Sequence, residues 1–101
     1  MTVGGTLPDV LVVGAGPVGL VAAIELRRHG MGVRLVEKSA TRTDLSKAVG
    51  INAHTLQLLE PAGVTPRLLA AGLRVERMNL RDGAEILTTV DFSKSPGPYN
   101  F

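Results

Sequence analysis

The chain has 101 residues and a formal net charge of +2, enough for one modest domain and small for a complete nucleotide-dependent enzyme. Hydrophobic residues make up 45%, which excludes disorder over most of the length, and aromatic residues at 3% leave no stacking platform for nucleic acid. The absence of cysteine excludes disulfides, thiolate metal sites and cysteine nucleophiles, and His29 and His54 are too few and too isolated to suggest a metal.

Residues 1–8 read as a loose tail. Asp9-Val10-Leu11-Val12-Val13 reads as a short, buried parallel strand. Gly14 permits a tight turn out of that strand. Gly16 offers no side chain to block a pyrophosphate, and Gly19 lets the next helix pack close to the strand. Pro17 suits a first helical turn, where its missing N–H would have no partner anyway. The pattern predicts a helix over Pro17–His29, stopped by Gly30, with its positive end facing a diphosphate. Leu20, Val21, Ile24 and Leu26 offer its packing face, while Glu25, Arg27 and Arg28 are solvated. His29 falls near the C-terminus, where positive charge is favoured.

Val33-Arg34-Leu35-Val36 predicts a second strand, ended by Glu37. A carboxylate there can accept hydrogen bonds from both ribose hydroxyls of an adenosine, and it disfavours the 2′-phosphate of NADP. Residues 9–38 therefore hold strand, glycines, helix, strand and acid in order within about 30 residues, the length of a dinucleotide-binding unit. Outside that order the glycines would serve only a turn, and Glu37 would be a solvated strand end. The apolar run from Val10 to Ile24 is shorter than the ~20 residues a membrane span needs, and no basic residue precedes it. It reads as the core of a cytoplasmic protein that does not enter a membrane.

Residues 39–72 are read as loop and helices. Lys38 to Gly50 has no clear period. Asn52 caps a second helix with Leu56 and Leu59 on one face and Pro61 ending it. Thr65-Pro66 opens a third helix as N-cap and first residue, and Gly72 closes it. Over residues 73–92 the period drops towards two. Arg81-Asp82-Gly83 marks a turn between Val75–Leu80 and Glu85–Val90, which predicts a β-hairpin. Residues 93–101, with two prolines and a glycine, form an irregular end. The fold class is α/β, a single partial domain. Two parallel strands and a crossover helix make half of a nucleotide-binding fold, whose sheet needs more strands and cover on both faces. Either a longer enzyme supplies them, or the chain associates with another chain or with itself through open sheet edges.

Three passages carry a resemblance: Val12-Val13-Gly14-Ala15-Gly16-Pro17-Val18-Gly19-Leu20, Val36-Glu37-Lys38, and Ser46-Lys47-Ala48-Val49-Gly50-Ile51-Asn52-Ala53-His54-Thr55-Leu56-Gln57-Leu58-Leu59. Over residues 9–92 the chain resembles the N-terminal FAD-binding segment of the FAD-dependent aromatic hydroxylases, flavoprotein monooxygenases of the para-hydroxybenzoate-hydroxylase type. The third passage is the most diagnostic, because NAD dehydrogenases do not share it. The resemblance implies a Rossmann-like βαβ unit of the glutathione-reductase type. It implies that Gly14, Ala15, Gly16, Pro17, Val18 and Gly19 surround the FAD pyrophosphate, that Glu37 binds the adenosine ribose, and that Lys38 lies along the adenine. Lys47 falls where the family has an arginine reaching the FAD phosphates; lysine keeps the charge and loses the planar fork. Without the resemblance Lys47 would be a solvated loop residue. His54 falls where many relatives have arginine, and by itself reads as a surface position.

In the complete enzyme the resemblance further implies NAD(P)H as reductant and a small aromatic substrate. No residue here stands out as a catalytic acid, base or nucleophile, and no metal is expected. The family's second nucleotide motif and its ribityl-binding motif fall beyond this stretch, and Asp82-Gly83 does not replace them. This polypeptide alone is therefore expected to hydroxylate nothing. The alternative is a non-catalytic truncated nucleotide-binding module, or one subunit of a split enzyme.

Overall fold

Which backbone groups the two short strands at the start of the chain pair with decides the geometry of everything near them. The structure is a computed structural model and describes residues 7–101, so the tail expected over residues 1–8 lies almost wholly outside the described residues. Two units are distinguishable, the first ending at Lys47 and the second running from Ala48 to Phe101. Helices and strands alternate in the mixed manner of an α/β chain.

In the first unit, strand β1 (Val10–Val13) pairs in parallel with strand β2 (Val33–Val36), joined by helix α1 (Pro17–Arg28). The register sets Val10 opposite Val33 and Val12 opposite Leu35. Those four side chains are half-buried and share one face. Val12 points towards α1, since a Cβ built on Gly19 would lie 3.4 Å from it. The opposite face is open: Leu11 is 56% and Val13 78% exposed. The expectation of a fully buried strand is thus corrected. One helix can cover one face of a two-stranded sheet, and a parallel sheet needs both covered.

Helix α1 stops one residue earlier than predicted, with His29 as its C-cap and Gly30 in the left-handed region at φ +82°. The His29 ring Nδ1 lies 2.8 Å from the Glu25 carbonyl oxygen, so the imidazole satisfies the helix end directly. Two further readings of α1 need correction. Leu20 and Val21 are exposed, and Ile24 and Leu26 carry the packing with Ala22 and Ala23. Glu25 is half-buried rather than solvated and pairs with Arg28 at 2.7 Å. A feature the sequence did not flag fixes the start of β1. Asp9 Oδ2 accepts the Gly32 N–H at 2.6 Å and ties the two strand beginnings together.

The second unit opens with helix α2 (Ala53–Leu59), capped by Asn52, whose side chain accepts the Thr55 N–H at 2.9 Å. Leu56 and Leu59 face inward as predicted and are 4% and 7% exposed. Pro61 sits in a 3₁₀ turn over Glu60–Ala62, which ends in left-handed Gly63. Helix α3 (Thr65–Ala71) closes at Gly72, but Thr65 is not its N-cap; that position is Val64. Thr65 is fully buried, and its hydroxyl donates to the Leu56 carbonyl at 2.5 Å. A hydroxyl that close to a carbonyl left over from α2 is better used there than on its own helix.

The hairpin forms, shifted along the sequence. Strand β3 (Arg77–Asp82) and strand β4 (Glu85–Asp91) are antiparallel, and the turn is the two-residue Gly83-Ala84. Gly83 takes φ +56°, the left-handed conformation that two-residue hairpin turns require, so Asp82 is left to pair with Glu85 in the ladder. Leu87 is the extra residue of a bulge between the Leu80–Thr88 and Arg81–Ile86 pairs. The irregular end contains a 3₁₀ turn at Phe92–Lys94, because Asp91 accepts the Ser93 N–H. Tyr99 donates to the Glu60 carboxylate and stacks edge-on with Phe101, whose ring lies under Arg74.

Replacing Thr65 by valine keeps the shape and strands the Leu56 carbonyl without a donor. Urea unfolding of Thr65→Val is expected to show a loss of about 1–2 kcal/mol. An unchanged midpoint would mean that this bond contributes nothing to the fold.

Candidate functional site

The loop between β1 and α1 is built from three glycines with three separate duties. Gly14 has φ +101°, and its N–H donates to the Val36 carbonyl at 2.7 Å, which carries the parallel ladder one residue into the loop. Gly19 is where α1 crosses the end of β1. A Cβ there would lie 1.9 Å from the Gly14 carbonyl oxygen, a distance no side chain tolerates. Gly16 is the N-cap of α1, and a Cβ there would meet nothing within 4 Å. A side chain at Gly16 would therefore project into open space, whereas at Gly19 it would collide with backbone.

Pro17 occupies the first helical turn, and no side chain caps the helix. The backbone N–H groups of that turn are the orphan donors of a helix N-terminus, and they carry its partial positive charge. Val18 is exposed, and with Pro17, Val21 and Ala22 it lines an open apolar hollow.

Glu37 follows β2 directly and reaches the glycine loop. Its Oε2 accepts the Ala15 N–H at 2.8 Å, and its Oε1 accepts the Ser39 N–H at 2.8 Å. These bonds, the Ala15 amide first, hold the carboxyl below its ordinary range. The structure thus brings Gly14 to Gly19 and Glu37 together. Lys38 follows on, exposed, and Lys47 lies exposed in the irregular segment; among the described residues neither forms an ion pair. His54 belongs to the second unit, exposed in the first turn of α2. Sequence reasoning missed Asp9 and the Ser39 amide. The one trace of Asp9 was an acid just before an apolar run; a backbone donor leaves no trace at all.

The family model described as an FAD binding domain matches residues 8–99. The chain belongs to that FAD-binding family. It is 41% identical over 87 residues to anhydrotetracycline monooxygenase of Streptomyces rimosus, covering 84% of this chain and 16% of that one. To pentachlorophenol 4-monooxygenase of Sphingobium chlorophenolicum it is 33% identical over 93 residues, 91% of this chain and 17% of that one. To rifampicin monooxygenase of Rhodococcus hoagii it is 39% identical over 66 residues, 65% of this chain and 14% of that one. The chain therefore spans about a sixth of the length of the first two relatives. No solved structure matches it. FAD is the cofactor of this family, and the open space before Gly16 beside an uncapped helix start fits the approach of an anionic group. Among the described residues no helix is long and apolar enough to cross a membrane, and no cluster suits a metal ion.

The two glycines separate in a stability measurement. Gly19→Ala is expected to cost about 1–3 kcal/mol or more through overpacking against backbone, whereas Gly16→Ala stays within about 0.5 kcal/mol. Equal unfolding midpoints for the two variants would contradict the packing described for Gly19.

The Glu37 bonds also predict a pH dependence. Folded Glu37 binds a proton less readily than the unfolded chain does, so protonation favours unfolding. Its contribution is complete above the ordinary carboxylate range and is lost as pH falls through the lowered value. The stability difference between the parent and Glu37→Ala is expected to shrink on acidification. Because the donors are amides rather than cations, added salt should not remove it. A difference constant down to low pH would contradict the hydrogen bonds.

Proposed function

We propose that the first unit is the Rossmann-like βαβ element, of the glutathione-reductase type, that grips the ADP half of FAD. Gly14, Ala15, Gly16, Pro17, Val18 and Gly19 would surround the pyrophosphate, with the α1 N-terminus facing it. Glu37 would accept from the ribose hydroxyls, Lys38 would lie along the adenine, and Lys47 would approach the phosphates as a point charge. The observation that carries this reading is the pairing of an obligatory glycine at 19 with an unobstructed one at 16. Gly16 joins that open space to the uncapped start of α1, where a diphosphate would approach.

In the whole protein the proposed activity is that of an NAD(P)H-dependent aromatic-ring hydroxylase acting on a small molecule. Bound flavin supplies the redox chemistry, and the protein supplies binding and orientation. The residues of this chain do the binding; none of them is assigned an acid, base or nucleophile role. The similarity to three monooxygenases supports this reading. The open apolar surfaces of β1 and α1 support association with further polypeptide. A cytoplasmic setting is part of the same proposal.

Titration calorimetry with ADP tests the site. The parent is expected to bind and Gly16→Val to bind no ADP, with its circular dichroism unchanged, because the branched side chain fills the space of the phosphate. Equal ADP affinity in the two proteins would reduce the loop to a structural turn.

A further inference from the structure

We infer that Glu37 is a positioning residue as well as a ligand-contacting one: it sets the shape of the glycine loop before a nucleotide arrives. The inference rests on the nucleotide-site reading above and adds a second duty to the acid. Two consecutive loop amides are gripped by two consecutive residues at the end of β2. The Gly14 N–H is held by the Val36 carbonyl at 2.7 Å, and the Ala15 N–H by Glu37 Oε2 at 2.8 Å. Ala15 is flanked by glycines, the residues that lose most freedom on ordering. An anchor on the Ala15 amide removes that freedom in advance, so less ordering cost falls on the binding step.

The other oxygen is held too, by the Ser39 N–H at 2.8 Å, which fixes the rotation of the carboxylate. Each carboxylate oxygen can accept about two hydrogen bonds, so one amide apiece leaves capacity for ribose hydroxyls. The anchor and the ribose contact are therefore compatible. A glutamine at this position has one acceptor oxygen, and its amino group would face an N–H donor. Glu37→Gln keeps the size and can hold only one of the two backbone amides, whereas Glu37→Leu has no acceptor and can hold neither. Both also remove a negative charge near the phosphates, which by itself would favour an anionic ligand.

Two measurements on the whole chain test this. In the protein without ligand, hydrogen exchange followed by NMR is expected to show the Ala15 amide protected, and that protection lost in Glu37→Leu. The Gly14 amide should stay protected in both, which reports that the strand pair remains folded. Should the variant lose Gly14 protection, the Ala15 rate in the parent against its unstructured-peptide rate decides the question. In the second measurement, ADP and 2′,3′-dideoxy-ADP are titrated into parent and variant. If Glu37 acts only through the ribose, the variant binds the dideoxy compound as well as the parent does, or more tightly through the lost charge. A positioning role makes the variant weaker for that compound by about two- to tenfold, the effect of one lost hydrogen bond. Equal or tighter dideoxy-ADP binding by the variant, or an Ala15 amide exchanging freely in the parent, would overturn the inference. Failure of the parent to bind ADP at all would remove the nucleotide reading, while the exchange rates would still decide whether Glu37 anchors the loop.

Discussion

The contact on which the first unit depends is the crossing of α1 over the end of β1, where Gly19 meets the Gly14 carbonyl. A Cβ at 1.9 Å would push the helix outward, and three other features would move with it. The Gly14 N–H would leave the Val36 carbonyl. The Ala15 amide would leave Glu37. The start of α1 would no longer open beside Gly16. Sequence order alone does not convey this hierarchy, since Gly14, Gly16 and Gly19 look equivalent in a motif. Their backbone surroundings separate them: one supplies a left-handed turn, one close packing, and one open space.

The uncovered surfaces follow from the same geometry. Parallel strands have apolar side chains on both faces, so one crossover helix leaves the second face bare. Leu11 and Val13 lie on that face, and Leu20 and Val21 are exposed on α1. The hairpin shows the same one-sidedness. The register puts Arg77 opposite Asp91 and Asn79 opposite Thr89, and both pairs interact, by an ion pair at 3.8 Å and a hydrogen bond at 2.7 Å. Met78 opposite Val90 and Leu80 opposite Thr88 make the other, largely apolar face, and all four are exposed. A hairpin finished with polar pairs on one side and left apolar on the other is amphipathic in the manner of a sheet edge awaiting cover.

How legible this was differs from element to element. The strands Val10–Val13 and Val33–Val36 and the capped helix at Asn52 stood out because their signals are local: apolar runs, a cap, a glycine stop. The hairpin turn is displaced: Arg81-Asp82-Gly83 carries the local turn signal, while left-handed Gly83 opens a two-residue turn with Ala84 and leaves Arg81 and Asp82 in the ladder. Thr65 was read as a cap on local grounds, and a carbonyl nine residues away claimed its hydroxyl. Within the candidate site, spacing singles out the glycines and Glu37, and the structure brings them together. The partner of Glu37 was not legible, because backbone amides carry no sequence signature. Lys47 lies in a stretch without period, where nothing local fixes a side chain.

Charge decides how the acid and a diphosphate can share one loop. Two unit charges 4 Å apart repel by about 1 kcal/mol in water, and more in a drier setting. Glu37 is exposed, which keeps that repulsion near the lower figure, and its charge is partly spent on two amides. The α1 N-terminus, which begins at Gly16, contributes a partial positive charge worth typically about 0.3–1 kcal/mol to an anion. Under the proposed reading the two terms nearly cancel for a pyrophosphate seated at the helix. On the same reading, a phosphate on the ribose 2′ position would sit at the carboxylate itself and meet that repulsion more directly. Under the proposed reading, the carboxylate that anchors the loop would also select against a 2′-phosphate.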